Sequence, residues 1–450
     1  MKKILIFLLV LTLSMSMVFV GISCKEDTAS TGEGSTETEK VAEEEEAVEE
    51  TETEEAAVEP VTLTFTGWRV EDQTAMDKMN EKFTEKYPNI QIEYNPVKAS
   101  EYDSYLQTAL ANDTAEDIIM LRSFNAGKLV YSTGYLVDLD TNNVPNLEEF
   151  PDALKAAWAT EEGQSFGVPG GMVLCGLFYN KAIFEDCGIT TPPKTMDELY
   201  DVCETIEAKG ITPISFGIKT AWYASELFSS TILAATVGSR DYYDRLYNKE
   251  IDLTGPGYVK MLQNAKDISE YFPEGYEGLA YEDCQQMFLS EQAAMYLSGS
   301  FEIAYFEEMN PDIQLGAIAY PGEDGPATAM NMGIATGYGI NKNTEHLEEC
   351  LTYLNWLASA EGTDLFANNV TGFYGMNVNA GPISNEAANE WIEAAKGKDL
   401  LMIVGYECMN TEVPDYTTAM ADTVYQMLVN GLSPEEAADY MQNQMSWYFK

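Results

Sequence analysis

Histidine is almost missing from this 450-residue chain, which holds one, His346. A single imidazole excludes a His-rich zinc site and leaves a Ser-His-Asp triad possible only through that residue. Bases are scarce as well: 25 Lys plus Arg stand against 74 Asp plus Glu, a formal charge of −49. A chain so negative repels phosphate backbones and anionic lipid, which argues against nucleic-acid binding. The seven cysteines include no Cys-x-x-Cys. Nor is there a phosphate-cradling glycine loop or a cluster with metal-ligand spacing, so no cofactor and no metal is expected. Past residue 20 no apolar run is long enough to span a bilayer.

Apolar residues make up 45% of the chain and aromatics 11%, which marks the body as folded. Its length exceeds a comfortable single core, so two domains are expected. Lys2-Lys3 ahead of an apolar stretch over 4–20 reads as a secretory signal, slightly long for one and near the lower limit of a membrane anchor. Gly21-Ile22-Ser23-Cys24 resembles a bacterial lipoprotein signal, in which the cysteine becomes lipid-modified and N-terminal. Gly21 departs from that pattern, where leucine is usual. Residues 1–24 are therefore expected to be a lipoprotein signal peptide ending at Cys24. On either reading the chain is exported.

Residues 25–60 hold 15 acids against Lys25 and Lys40, with Glu43 to Glu46 consecutive. Almost nothing there can be buried, so a disordered acidic tether is expected, with a fully extended reach on the order of 120 Å. The body keeps 59 acids and 21 bases, a net −38, so the acidity is spread along the chain. Six cysteines remain: Cys175, Cys187, Cys203, Cys284, Cys350 and Cys408. Spacing selects none of their possible pairings and leaves free buried thiols open.

From residue 61 the chain alternates strand and helix periods. Val61-Thr62-Leu63-Thr64-Phe65-Thr66 alternates apolar and polar and breaks at Gly67-Trp68. Met76, Met79, Phe83 and Tyr87 recur at helical steps within 74–87, and Pro88-Asn89 stops them. A strand over 90–94, a helix over 100–112 and an apolar strand over 118–121 follow. Strand-helix-strand-helix-strand is the grammar of a sheet covered on both faces, whose ligands meet the loops after the strands' carboxyl ends. That rule points to Trp68-Arg69 and Arg122-Ser123. Further strands fit 177–179, 213–216 and 293–297, the last leading into the loop Ser298-Gly299-Ser300. A helix over 196–209 capped by Thr195 and ended by Gly210 fits, as do helices over 345–358, 385–395, 416–430 and 434–448.

Several blocks then resemble a known family. They are Gly163-Gln164-Ser165-Phe166-Gly167-Val168-Pro169, Leu177-Phe178-Tyr179-Asn180-Lys181, and Pro192-Pro193-Lys194-Thr195-Met196-Asp197-Glu198-Leu199. Phe83 with Tyr87-Pro88-Asn89-Ile90, Met287-Phe288 with Ala293-Ala294-Met295, Gly299 and Phe301, and Ser359-Ala360-Glu361-Gly362 continue the series in order. Together they resemble the extracellular solute-binding proteins of ABC importers, the maltose-binding-protein-like carbohydrate binders, over roughly 61–450. Gln164 and Met196 depart from the family's Lys and Trp.

The resemblance implies a two-lobed periplasmic-binding-protein-like α/β fold, each lobe a mostly parallel sheet flanked by helices, with the ligand in the cleft between. It implies residues 61–169 plus 330–375 for lobe 1 and 170–329 plus 376–450 for lobe 2. Crossings are expected near 168–171, 329–333 and 374–382, with Pro169, Gly170, Gly171 and Gly333 as hinge residues. Glycine accepts large backbone changes. The partners implied are a sugar ligand, the permease subunits, and the membrane through the lipid anchor alone. The place is the extracellular face of the cell membrane, or the periplasm if the host has two membranes.

Sugars present an apolar face to aromatic rings and hydroxyls to planar polar groups. The candidates on loops are Trp68, Arg69 and Glu71, Arg122 and Asn125, Trp222 and Tyr223, Phe301, Tyr374 and Tyr416. Phe301 inherits the family's stacking-tryptophan position. Each has a plainer role available: Trp68 as a rim side chain, Arg122 in a salt bridge, one of Trp222 and Tyr223 in the core. An extracellular glycoside hydrolase would need a carboxylate pair, which 74 acids neither identify nor exclude. A surface lipoprotein that binds a sugar and feeds a sensor is the other alternative.

Overall fold

A computed structural model describes residues 60–377, 379 and 381–450. The signal segment, Cys24 and the acidic tether before residue 60 lie outside the described residues. The first strand, β1 (Val61–Gly67), buries Leu63 and Phe65 completely, as its alternation requires. The helix Gln73–Lys86 lays Met76, Met79 and Phe83 on that face. Next come β2 (Ile90–Pro96), the helix Ala99–Ala111 and β3 (Ile118–Leu121), which is buried along its whole length. Both β2 and β3 pair with β1 in parallel, Val61 opposite Ile90 and Phe65 opposite Ile118.

Then comes a strand of 13 residues, β4 (Val168–Asn180). After it follow β5 (Thr212–Ser215), β6 (Ala293–Gly299), β7 (Leu315–Ile318), the 12-residue β8 (Ala329–Ile340), β9 (Tyr374–Gly375) and β10 (Asp399–Met402). The path through the sheet is β2-β1-β3-β8-β4-β6-β5, with β10 on β8 and with β7 and β9 on β4.

The two long strands join the lobes. The first half of β4 pairs with β8, and its second half, from Cys175, pairs with β6 and β7. The end of β8 pairs with β3, and its start pairs with β10. The sheet is therefore mixed rather than mostly parallel. Parallel pairing holds for β1 with β2 and β3, β5 with β6, and β8 with β10, whereas β4 meets every neighbour antiparallel. Strands that run through both lobes in opposite senses cannot match the local direction on each side.

Helix starts carry the chemistry that backbone N–H groups need. Thr195, Ser359, Asn385, Asp415 and Ser433 each cap a helix with their side chains. The segment after Trp222 opens as a π-turn, Tyr223–Ser229, before the α-helix Ser230–Val237. Ser229 and Ser230 donate to the carbonyls of Ala224 and Ser225, five residues back, which holds the wide turn.

Gly170 and Gly171 lie in β4 where its register with β8 shifts. A Cβ on Gly170 would stand 2.7 Å from Thr336 Oγ1, and one on Gly171 would stand 2.6 Å from Phe366. Close approach of neighbouring chains demands glycine at both. Gly333 lies opposite Val173 near one end of the β4–β8 pair. All six cysteines of the described residues are free thiols.

Candidate functional site

Loops after the carboxyl ends of β1, β3, β5 and β6 carry the candidate side chains. From the first lobe, Trp68 leaves β1 half-buried, with Tyr102 at 5.5 Å on one side. The Arg122 guanidinium lies 4.7 Å above its ring. Asp103 anchors that guanidinium at 2.9 Å, so the expected salt bridge of Arg122 exists at a largely solvated position. The chain then turns through Phe124 at φ 53, a backbone state that costs a non-glycine residue and is held by its surroundings. Asn125 follows and donates to the carbonyl of Asn410 at 2.5 Å, a contact between segments far apart in the chain.

From the second lobe come Trp222, its ring 4.8 Å from Tyr281, and Phe301, half-buried after β6. Tyr281 donates to Glu302 at 2.6 Å. Glu302 also accepts from Tyr296, Ser298 and Gln285, four donors on one buried carboxylate. Burial raises the pKa of Glu302, and those hydrogen bonds pull the other way. Its role is to hold the floor beneath Trp222 and Phe301.

Between the two sets stands Glu226, carried on the π-turn. Its Oε2 accepts from Tyr406 at 2.6 Å and its Oε1 from Thr417 at 3.3 Å. Its backbone carbonyl accepts from Asn331 of β8 at 3.1 Å. Asn331 donates as well to Thr231, and its own Oδ1 is buried without a protein partner. Burial pushes the Glu226 carboxyl up to about 7, while Tyr406, Thr417 and the Arg122 charge favour the ionised form. The side chain keeps partial exposure even though protein surrounds it densely, as befits a group at the bottom of a cleft. A separate pocket of about 640 Å³, bordered by Phe124, Lys128, Leu139, Gln164 and Glu407, contains none of these candidate side chains.

The structure pairs Trp68 with Arg122, ties Asn125 to Asn410, leaves Trp222 and Phe301 half-buried, and engages five other candidates with internal partners. Arg69 is buried, with Asp72 and Glu71 on its edges and the Phe373 ring 4.3 Å from its face. Burial opposes its charge, but Asp72 and Glu71 outweigh that and raise its pKa. Arg69 and Glu71 thus form an ion-paired brace that ties the loop after β1 to the Phe373 segment. Tyr223 is fully buried and donates to Leu297, so it is the core member of the pair with Trp222. Tyr374 points its hydroxyl at Ala388, into the helix Glu386–Ala395. Tyr416 is fully buried against Tyr258, hydroxyl to hydroxyl at 2.8 Å. In all three tyrosines the phenol is spent on an internal partner.

Glu226, Tyr406, Thr417, Asn331 and Tyr281 were not expected. Glu226 lies four residues past Trp222, yet one acid among 74 carries no signal of its own. Among the described residues no group of three His, Cys, Asp or Glu could hold a metal, and no helix is long and apolar enough to cross a membrane.

Comparison with known proteins follows the same line. An uncharacterized ABC transporter extracellular-binding protein of Pyrococcus horikoshii is 25% identical over 302 residues, 66% of this chain and 67% of its own length. The multiple sugar-binding protein of Streptococcus mutans is 22% identical over 319 residues, 67% of this chain and 71% of its own. Among solved structures, the bacterial solute receptor AcbH, described as preferring β-D-galactopyranose exclusively, superposes with a TM-score of 0.72 at 18% identity. It covers 86% of this chain and 99% of that one. The family model of the bacterial extracellular solute-binding proteins matches residues 67–364, about two thirds of the sequence, and the chain belongs to that family.

Proposed function

We propose that the chain is the lipid-anchored substrate-binding component of an ABC importer, which captures a sugar reversibly between its lobes and delivers it to the permease. The observation that carries this reading is the chemistry of the loops after the strands: Arg122 over the Trp68 ring, half-buried Trp222 against Tyr281, and partly exposed Glu226 held by Tyr406. Rings take the apolar face of a pyranose, and the polar groups take its hydroxyls. The sugar-binding relative in Streptococcus mutans and the galactose preference of the superposed receptor support the same cargo class.

Lobe 1 comprises 61–169 with 330–375, and lobe 2 comprises 170–329 with 376–450. Closure bends the chain at Pro169, Gly170, Gly171 and Gly333. Sugar contacts both lobes only when they are closed, so binding shifts the equilibrium toward that state. Cys24 holds the chain to the outer face of the membrane and the acidic segment spaces the body from it. The permease recognises the closed form. Nothing in this scheme alters the sugar.

The test is thermal unfolding and tryptophan emission of the purified chain against a panel of mono- and oligosaccharides. A ligand of the folded state raises the midpoint, and Trp68 and Trp222 change emission with it. The sugar should be recovered intact. No response to any sugar refutes the cargo class, and a cleaved product refutes transport in favour of hydrolysis.

A further inference from the structure

Glu226 is carried on the π-turn Tyr223–Ser229. A π-turn is an uncommon and strained way to begin a helix, and such turns concentrate at functional positions. Here it is held by two serine hydroxyls and by Asn331 of β8. The result places the Glu226 side chain against Tyr406 and Thr417, with solvent still reaching it. A carboxylate offers about four acceptor positions, and the protein uses two of them. The two left open match the spacing of adjacent hydroxyls on a sugar ring, which donate side by side to one carboxylate.

We infer that Glu226 reads the ligand, accepting two neighbouring hydroxyls of the captured sugar opposite Arg122 of the other lobe, and that this ties capture to the ionised carboxylate, so that acidification releases the sugar. The inference rests on the proposed sugar cargo and specifies how that cargo is held and let go.

The groups that face Glu226 are Arg122 from the loop after β3, Tyr406 from the segment after β10, Asp415 at the head of the helix Tyr416–Leu428, and Cys175 of β4. Burial raises both the Tyr406 phenol and the Cys175 thiol, so each keeps its proton at neutral pH. Arg122 favours the carboxylate and Asp415 opposes it. The chain's one imidazole, His346, acts on Asp117 in the first lobe instead. On release the Glu226 carboxylate takes up one proton from the solvent to become the carboxylic acid, and the covalent bonds of the sugar are unchanged.

Isothermal titration of the full chain with D-galactose and with raffinose, from pH 5.5 to 8.0, tests this. The carboxyl of the empty protein titrates near 7, so the dissociation constant should rise on acidification by up to about 30-fold across that range. Glu226→Gln should bind at least tenfold more weakly at pH 8.0 and show a flat profile. Tyr406→Phe removes a donor that favours the anion and should move the midpoint to higher pH. Affinity that is flat or improves on acidification overturns the inference and leaves the sugar reading standing. So does a folded Glu226→Gln variant that keeps both the affinity and the slope. If the unsubstituted chain binds neither these sugars nor any other of the panel at any pH, the cargo reading fails and the inference falls with it.

Discussion

A buried carboxylate retained for binding must cost the empty protein stability, and at Glu226 that cost can be worked out. In the fold its carboxyl moves from an ordinary 4.5 to about 7, chiefly because burial penalises the charge. Each pH unit of such a difference is worth ~1.4 kcal/mol. Folding therefore takes up a proton between these two values, and the sign follows from that uptake. The stability contributed by the protonated form is complete below 4.5, declines as the pH rises through 7, and is gone above it. Between pH 5.5 and 8.0 the loss is on the order of 2 kcal/mol, an upper bound because the side chain keeps contact with cleft water. Glu226→Gln carries a neutral side chain of the same shape, whose carbonyl can still accept from Tyr406. Urea unfolding of both proteins without ligand, at pH 5.5, 6.5 and 8.0, isolates the effect, because every other titrating group is shared. The unsubstituted chain should lose up to about 2 kcal/mol more than the variant over that range. The variant should be the more stable of the two at pH 8.0. Parallel stability curves would refute the burial reasoning, whatever the affinity measurements show. If the curves diverge as expected, a residue that weakens the empty fold is kept for what it does when a ligand is present.

Other outcomes follow from the same geometry. Asp72→Ala strands the buried Arg69 guanidinium with Glu71 alone, and breaking such a pair should cost roughly 3–5 kcal/mol in urea unfolding. Gly372 adopts φ 91, and a Cβ there would stand 1.9 Å from the Ser300 carbonyl oxygen. Gly372→Ala should therefore destabilise the fold by more than the roughly 1–2 kcal/mol of a left-handed residue alone, read as a lowered melting temperature. Glu302→Ala leaves four donors without their acceptor, and the loss should show both as destabilisation and as a changed emission of Trp222 through Tyr281. Trp222→Ala should weaken sugar binding while leaving the unfolding midpoint of the empty chain nearly unchanged, a separation that a core tryptophan would not show.

How much was legible in the sequence depended on the range of the interactions involved. Alternation in 61–66 and the helical steps of Met76, Met79 and Phe83 are local patterns, and the strands and helices fell within a residue or two of them. Thr195 capped its helix as its chemistry requires. Ordered motifs from Gly163 to Leu199 and from Met287 to Phe301 pointed to the family. The rule that ligands meet the carboxyl ends of strands led to Trp68 and Arg122. The role of each aromatic was less readable. Trp222 and Tyr223 are neighbours in sequence, yet one is half-buried against Tyr281 and the other donates to Leu297 in the core. Tyr416 sat on a plausible loop edge and proved to be closed off by Tyr258.

Chain order, periodicity and motif alone determined that this is an acidic, alternating α/β chain of the solute-binding kind, because those properties reside in residues close together along the sequence. The antiparallel passage of β4 and β8 through both lobes, the π-turn at Tyr223–Ser229 and the meeting of Glu226 with Tyr406 and Thr417 were decided only by tertiary structure. These contacts join residues up to 191 positions apart. No local pattern encodes which of 74 carboxylates such a fold will carry to its centre, since that depends on how every intervening element is packed.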